Sequence, residues 1–115
     1  MATALPRRGE VWTVDLNPVR GHEQGESRPA VIVSTDPFNW SAADLVAVVP
    51  ITRTRRGIPF HFEVHPPEGG LTTVSYVLCD QIRTIAKSRL GTRRGAFSPA
   101  TMQEIESRLR ILMDL

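Results

Sequence analysis

The sequence predicts a mainly β fold, a small barrel of short strands followed by one C-terminal α-helix. Short apolar or alternating stretches separated by turn residues recur between residues 10 and 85, which is typical of strands joined by hairpins. The apolar period then becomes helical, since Met102, Ile105, Leu109 and Leu112 are spaced by 3, 4 and 3 residues. A barrel is favoured because closing a sheet removes its exposed edges.

The chain length fits one domain. The sequence has 115 residues, of which 41% are hydrophobic, so its core is modest. We predict a flexible N-terminal arm at residues 1–8 and a single domain at residues 9–115. A domain of this size leaves much apolar surface accessible, so a dimer interface is expected as added support.

The cellular compartment follows from what the chain lacks. Cys79 is the only cysteine, so no intrachain disulfide can form, which fits a reducing interior. The N-terminus has no apolar signal-peptide core, and no apolar run is long enough to cross a membrane. We therefore expect a soluble cytoplasmic protein that does not enter a membrane.

The first two strands have different patterns. "EVWTVDL" (10–16) alternates, with Trp12, Val14 and Leu16 on one face, as in a half-buried strand. "PAVIVS" (29–34) is continuously apolar and β-branched, which is typical of a strand covered on both faces.

The later elements are shorter. "LVAVVPI" (45–51) is the third strand, and Pro50 near its end indicates an edge or a bulge. "FHFEV" (60–64) alternates, which predicts that its apolar residues face inward and that His61 and Glu63 face outward. Two more short strands are expected at 73–79 and 81–85, and Ser98 with Pro99 predicts the start of the helix.

A basic loop follows the third strand. Arg53, Arg55 and Arg56 crowd beside Thr52, either as a phosphate-binding surface or as a solvated loop. Their clustering at a strand end slightly favours nucleic acid. Further basic residues occur at Arg83, Lys87, Arg89, Arg93 and Arg94.

The segment "GHEQGESRPA" (21–30) carries more chemistry than a turn needs. His22 can titrate near neutral pH, and Glu23 can act as a base or bind a nucleobase edge. Arg28 precedes Pro29 and is therefore biased to an extended conformation, from which its guanidinium can present a rigid fork to a phosphate. The alternative is that Glu23 and Arg28 pair to brace the loop.

Other polar residues are less specific. Asp80, beside Gln81 and after an apolar strand, can accept a proton, bind a base or cap a turn. His61 and His65 flank Glu63 but are too few and too loosely arranged for a metal site.

Several motifs occur together in an order that resembles the MazF/PemK family of toxins. They are "RRGEVWTVDLNP", "GHEQGESRPAVIVS", "VVPIT", the basic loop ending "GIPF", and "CDQIRTI". The similarity covers roughly residues 7–115, and "GHEQ" with "CDQ.RTI" is most similar to the PemK (Kid) branch.

The resemblance implies an SH3-like β-barrel of the CcdB/MazF/PemK type with a C-terminal helix, usually as a homodimer. It implies the toxin of a type II toxin–antitoxin system, a sequence-specific endoribonuclease that cuts single-stranded mRNA and arrests growth. The cognate antitoxin inhibits it, and any contact with operator DNA is made through that antitoxin. The RNA 2′-hydroxyl attacks its own phosphate to give 2′,3′-cyclic phosphate and 5′-hydroxyl ends, and no metal or other cofactor is expected.

The resemblance also implies roles for individual residues. Arg28 supplies charge at the phosphate, and Thr52 supplies a hydrogen bond. His22 and Glu23 compete for the role of base or substrate holder, and Asp80 is the alternative base. The RNA-binding set comprises Gln24, Arg53, Arg55, Arg56, Gln81 and Arg83.

One position departs from the pattern of the PemK branch. That branch has an arginine thought to act in catalysis two residues before the aspartate, and this chain has Leu78 there. Because of this departure, Arg28 and Thr52 are expected to be the main catalytic residues.

Two rival functions are a CcdB-like gyrase-binding toxin and an inactive nucleic-acid-binding module. The CcdB type relies on a tryptophan-containing tail, which is absent from the ending "ILMDL".

Overall fold

The computed structural model describes residues 5–17 and 27–115. This part of the chain forms an antiparallel β-sheet and a C-terminal helix, which confirms the predicted mainly β class. The elements are β1 (Glu10–Asp15), β2 (Ser27–Ile32), α1 (Asp36–Asn39), β3 (Leu45–Thr52), β4 (His61–Val64), β5 (Ser75–Leu78), β6 (Arg83–Ala86), β7 (Leu90–Ala96) and α2 (Pro99–Met113).

The sheet has the strand order β4-β5-β3-β2-β1-β7. Strand β6 pairs with the first half of β3, on the same edge that β5 occupies farther along. Among the described residues the hydrogen-bonded path does not return from β7 to β4, so the sheet is not closed into a complete barrel by strand pairing.

The two faces of the central strands bury two separate cores. Val11, Val31 and Val49 join the α2 residues Met102 and Ile105 in one core. Their neighbours in the same strands, Trp12, Ala30 and Val48, point to the other face and pack into the second core with Ile85 of β6. Ala30, Val31 and Ile32 are all fully buried, which confirms that β2 is covered on both faces. The second core contains Trp12, Val14, Leu16, Ala30, Ile32, Val46 and Val48.

Pro50 does not mark an edge strand, so that alternative of the prediction (an edge or a bulge) is wrong. β3 is the most central strand, and Pro50 pairs with Ala30 of β2. On the other side of β3, pairing with β6 ends at Val48 and pairing with β5 begins at Ile51. The missing N–H of proline lies in this gap between two partners, where the ladder requires no donor.

Helix α2 begins as the sequence predicts. The Ser98 hydroxyl accepts a hydrogen bond from the Thr101 N–H at 3.2 Å, and Pro99 occupies the first turn. Met102, Ile105 and Leu109 are buried. Leu112, the fourth member of the predicted stripe, is 40% exposed because the helix extends past the core at that point.

Strand β7 was not predicted from the sequence. Its residues, "LGTRRGA", are polar and contain two glycines, and they show no apolar alternation. The strand forms because β1 offers it an edge, and Arg93 on β7 places its Nε 2.6 Å from the Glu10 Oε2.

The end of the predicted N-terminal arm is packed on the domain. The Arg8 N–H donates to the Asp36 carboxylate at 2.7 Å, and the Arg8 guanidinium lies 2.9 Å from the Glu106 carboxylate. The Trp40 indole donates to the Pro6 carbonyl at 2.8 Å. Residues 6–8 are therefore held by these contacts, and the domain boundary itself stays a prediction.

Two carboxylates, the buried Glu10 and the partly buried Glu68, make the stability of the fold depend on pH in acid. Burial alone would raise the pKa of Glu10, but hydrogen bonds from Arg93, the Arg7 N–H and the Trp12 indole outweigh it and lower that pKa. Burial would likewise raise the pKa of Glu68, and hydrogen bonds from Thr101 and Ser98 lower it. A lowered carboxyl pKa stabilises the fold above the unfolded value, and this contribution disappears as the pH falls.

We therefore expect the free energy of unfolding to fall as the pH drops below 4.5, the ordinary glutamate value. Urea unfolding between pH 7 and pH 3 measures it. Glu10→Gln should be less stable than the wild type at pH 7 and lose less stability in acid. Glu104→Gln, at an exposed helical pair with Arg108, is the control. Equal acid slopes for Glu10→Gln and the wild type would contradict the assignment.

Candidate active site

Arg28 and Thr52 lie at the same end of two neighbouring strands. Arg28 is near the start of β2 and Thr52 is at the end of β3, and the two strands are antiparallel. The start of one strand and the end of the next therefore meet at one edge of the sheet. Both side chains line two adjacent cavities, so they form the wall that the cavities share.

The first cavity, which we call the threonine cavity, has a volume of about 150 Å³. Hydroxyl groups from the segment before β5 are prominent in its wall, together with two further arginines. It is lined by Ser27, Arg28, Pro29, Ile51, Thr52, Arg53, Leu71, Thr72, Thr73, Ser75 and Arg94.

The second cavity, the histidine cavity, has a volume of about 130 Å³. It lies between the basic loop and the turn after β5. Its walls are Arg28, Thr52, Thr54, Arg56, His61, Leu78 and Gln81. The Thr54 N–H donates to the Thr52 hydroxyl at 3.2 Å, which fixes the start of the basic loop beside Arg28.

The two cavities are electropositive. Arg28, Arg53, Arg56 and Arg94 line them, and none of the described residues in their walls is acidic. Arginine presents a planar fork of donors that matches a phosphate, and a concave site of one charge sign concentrates its counter-ion. This arrangement suits a phosphodiester held at the shared wall, with one nucleotide directed to each side.

The arginines of the basic loop are divided among three depressions. Arg53 lines the threonine cavity and Arg56 lines the histidine cavity. Arg55 lines a more open cleft of about 260 Å³, together with Ile58, His61 and Tyr76. The loop therefore directs positive charge along a continuous path instead of to a single point.

Four of the sequence-predicted residues, Arg28, Thr52, Arg56 and Gln81, line one cavity. Arg83 lies elsewhere, because its guanidinium donates to the Leu16 carbonyl at 2.9 Å. His22, Glu23 and Gln24, which the sequence places in the same site, fall outside the residues that the structure describes.

His61 does not face solvent, and the prediction that it does is wrong. The side chain of His61 is only 3% exposed. Phe62 and Val64 pack toward the α2 core, as the alternation predicts. His61 is on the opposite face of β4, where the basic loop and the turn after β5 cover it.

Asp80 contacts this buried histidine. The Asp80 Oδ1 is 2.9 Å from the His61 Nε2, in the turn Cys79–Gln81. The Asp80 side chain is one-third exposed, so the pair bridges the protein interior and the surface. The preceding Cys79 is buried in the α2 core, where burial raises the pKa of its thiol to about 12 and keeps it protonated.

Several site residues had no recognisable signal in the sequence. Thr72 and Thr73 lie at the start of the strand predicted at 73–79 and belong to no recognisable motif, and Tyr76 looks like an ordinary residue of that strand. They join the site only because β5 pairs with the end of β3.

Within residues 5–17 and 27–115, no three His, Cys, Asp or Glu side chains lie close enough to hold a metal ion. In the same ranges, no helix is both long enough and apolar enough to cross a membrane.

Comparison with known proteins supports this architecture and identifies the family. Residues 7–113 match the family of PemK-like, MazF-like toxins of type II toxin–antitoxin systems. The chain belongs to this toxin family. It is 38% identical over 116 residues to the endoribonuclease MazF9 of Mycobacterium tuberculosis, and the match covers 96% of this chain and 98% of that protein.

Solved structures of toxins have the same fold. The crystal structure of MazF from Deinococcus radiodurans has a TM-score of 0.84 at 27% identity, covering 98% of this toxin and 100% of that chain. A mycobacterial endoribonuclease has a TM-score of 0.77 at 34% identity, covering 97% and 94%. A mycobacterial endoribonuclease in complex with its cognate antitoxin has a TM-score of 0.76 at 33% identity, covering 96% of each chain. The SH3-like toxin fold expected from the sequence is thus confirmed.

Proposed function

We propose that this MazF-type endoribonuclease toxin cleaves single-stranded mRNA, without a metal, at a phosphate held between Arg28 and Thr52. The observation that carries the proposal is the shared wall of the two cavities. In that wall an arginine fork and a hydroxyl lie between two small cavities of about 150 Å³ and 130 Å³. A single-stranded substrate can place one nucleotide in each space, which a stacked duplex cannot do without unstacking.

The proposed reaction is an internal transesterification. The 2′-hydroxyl oxygen forms a bond to phosphorus, and the bond from phosphorus to the 5′-oxygen of the next nucleotide breaks. The products carry a 2′,3′-cyclic phosphate and a 5′-hydroxyl. Negative charge grows on the non-bridging oxygens during this step, so Arg28 and the Thr52 hydroxyl stabilise the transition state more than the bound substrate.

The neighbouring residues extend the RNA path. Arg53 and Arg56 flank the shared wall, Gln81 offers an amide to a nucleobase edge, and Arg55 continues the charge toward Tyr76. Stacking on an aromatic ring and hydrogen bonds to base edges are the usual means of binding single-stranded RNA. His22, Glu23 and Gln24 stay predicted members of the site. Arg83 is the weakest member, since its guanidinium is engaged by Leu16.

We also propose the partners that the family implies. The cognate antitoxin inhibits the toxin by covering this basic site, and it mediates any contact with operator DNA. The toxin acts as a cytoplasmic homodimer, for which the end of α2 is suited. Its exposed apolar residues are Ile111, Leu112, Met113 and Leu115. A protein of this size offers only a shallow groove, and a two-fold copy would lengthen it.

Incubation of the purified toxin with a long unstructured RNA and with the matching DNA, both in EDTA, tests the proposed function. We expect cleavage of the RNA alone, at discrete sites, with cyclic phosphate and 5′-hydroxyl ends identified by mass spectrometry. DNA resists because it lacks the nucleophilic 2′-hydroxyl. Intact RNA at excess protein would favour a non-enzymatic toxin or a binding module, and cleavage that requires added metal would overturn the mechanism.

A further inference from the structure

Two arginines of the threonine cavity, Arg53 and Arg94, are exposed and are not engaged by the protein itself. Their guanidiniums make no hydrogen bond or ion pair with any residue in the part of the chain that the structure describes. The neighbouring Arg93, in contrast, places its Nε 2.6 Å from the Glu10 carboxylate. The positive charge at this cavity is therefore available to a ligand.

Arg94 lies at an irregularity of β7. Gly95 pairs with Val11 of β1 and Arg93 pairs with Trp12, so Arg94 is an extra residue between two consecutive pairs. An extra residue of this kind is a β-bulge, which bends the strand and re-aims the side chain that it carries. The bulge explains how two consecutive arginines have different surroundings, one beside a carboxylate and the other in the wall of the threonine cavity.

The wall beside Arg94 adds two hydroxyl groups. Thr72 and Thr73 are exposed, and their hydroxyls have no hydrogen-bond partner among the described residues. The turn that leads to them packs closely on the bulge, since a Cβ added to Gly95 would lie 2.7 Å from the Gly69 carbonyl carbon. Arginine guanidiniums and threonine hydroxyls are common donors to the phosphate oxygens of nucleic acids.

The composition of the threonine cavity favours a phosphate over a nucleobase. Among the described residues, its wall contains no aromatic and no acidic side chain. Bases of single-stranded RNA usually stack on aromatic rings, and Tyr76 lines the separate open cleft instead. Donors without a neighbouring carboxylate match a group that is negatively charged and only accepts hydrogen bonds.

We propose that the threonine cavity is a second phosphate-binding subsite, in which Arg53 and Arg94 hold the phosphate next to the scissile one. The inference rests on the proposed cleavage between Arg28 and Thr52, which border the same cavity. A strand anchored at their shared wall presents its adjacent phosphate to this cavity. A phosphate contact positions the strand without reading its bases. Arg94 therefore contributes to affinity and leaves the cleavage sequence unchanged.

The first test measures binding of a short RNA that carries one of the toxin's cleavage sites, with deoxyribose at that site so that it cannot react. Arg94→Ala should bind about tenfold more weakly. The slope of log affinity against log salt should become shallower by about 0.7, the value for one phosphate of a single strand. Arg110→Ala removes the same charge from the exposed side of α2, outside both cavities, and should bind as the wild type does.

The sequence preference separates a phosphate contact from a base contact. Arg94→Ala should cut a long RNA at the same sites as the wild type. A changed set of sites would overturn the inference, because Arg94 would then read a base. An unchanged affinity and salt slope would overturn it as well.

Neutral linkages locate the contact. Two further deoxy-substituted oligonucleotides carry an uncharged methylphosphonate in place of the phosphate immediately before or immediately after the cleavage site. One of them should bind the wild type about tenfold more weakly but bind Arg94→Ala no more weakly than the charged strand, because that contact is already lost. Arg53→Ala should show the same coupling to the same phosphate. Equal losses for the wild type and Arg94→Ala at both positions would overturn the inference while RNA cleavage stands. Wild-type toxin that leaves RNA intact would refute the proposed function, and this inference with it.

Discussion

Arg28→Ala is expected to reduce the rate of RNA cleavage by about a thousandfold, the effect of removing a principal charge donor to the transition state. Arg28 is in the wall shared by both cavities, so its loss affects the phosphate whichever nucleotides occupy them. The substitution removes a cation next to Arg53 and Arg56, which continue to attract RNA. The rate constant should therefore fall much more than the affinity does.

Arg28→Lys tests whether Arg28 binds the phosphate through its planar guanidinium. Lysine keeps the positive charge but lacks the planar fork of donors. If Arg28 makes a bidentate contact with the phosphate, the lysine variant should therefore lose most of the cleavage activity. Single-turnover rates at saturating protein measure this. Arg110→Lys on the exposed side of α2, outside both cavities, is the matched control and should behave as wild type. If Arg28→Lys retained more than half of the wild-type rate, Arg28 would supply only long-range attraction.

Gly70→Ala is expected to have the largest effect on stability, lowering the free energy of unfolding by about 3 kcal/mol. Gly70 has a φ of +70°, and an added Cβ would lie 2.1 Å from the Arg94 carbonyl oxygen. That oxygen belongs to the backbone of β7 and cannot rotate away. Leu71 and Thr72, which follow Gly70, line the threonine cavity together with Arg94, so displacing the turn from β7 should also widen that cavity.

Gly57→Ala is the matched control for this substitution. Gly57 has nearly the same φ, +67°, but an added Cβ there meets nothing within 4 Å. Its cost should be the backbone term alone, about 1 kcal/mol. Urea unfolding of both variants isolates the steric term as their difference. Equal destabilisation by the two substitutions would contradict the close approach of the turn and β7.

The predictable parts of the fold are those whose local pattern agrees with their final surroundings. β2 is continuously apolar and is covered on both faces, and the capping serine of α2 stands where the helix begins. β7 was not predicted because it has no apolar pattern of its own and forms a strand by pairing with β1. Pro50 misled because a proline fits a central strand where two partners on one edge leave a gap.

The same distinction applies to the site. The sequence singles out Arg28 and Thr52 because their motifs are contiguous in sequence and resemble those of a toxin family. The burial of His61 could not be predicted, because alternation assigns a residue to a face of its strand without specifying what covers that face.

The sequence by itself determined the mainly β class, the terminal helix, the toxin family and the cationic residues that suit a phosphate. Each of these depends on local periodicity, on capping or on a contiguous motif. Only the tertiary structure decided that Arg28 and Thr52 separate two cavities and that His61 is buried against Asp80. Those relations join segments far apart in the chain, and they are set by strand register and loop packing, which a local pattern does not encode.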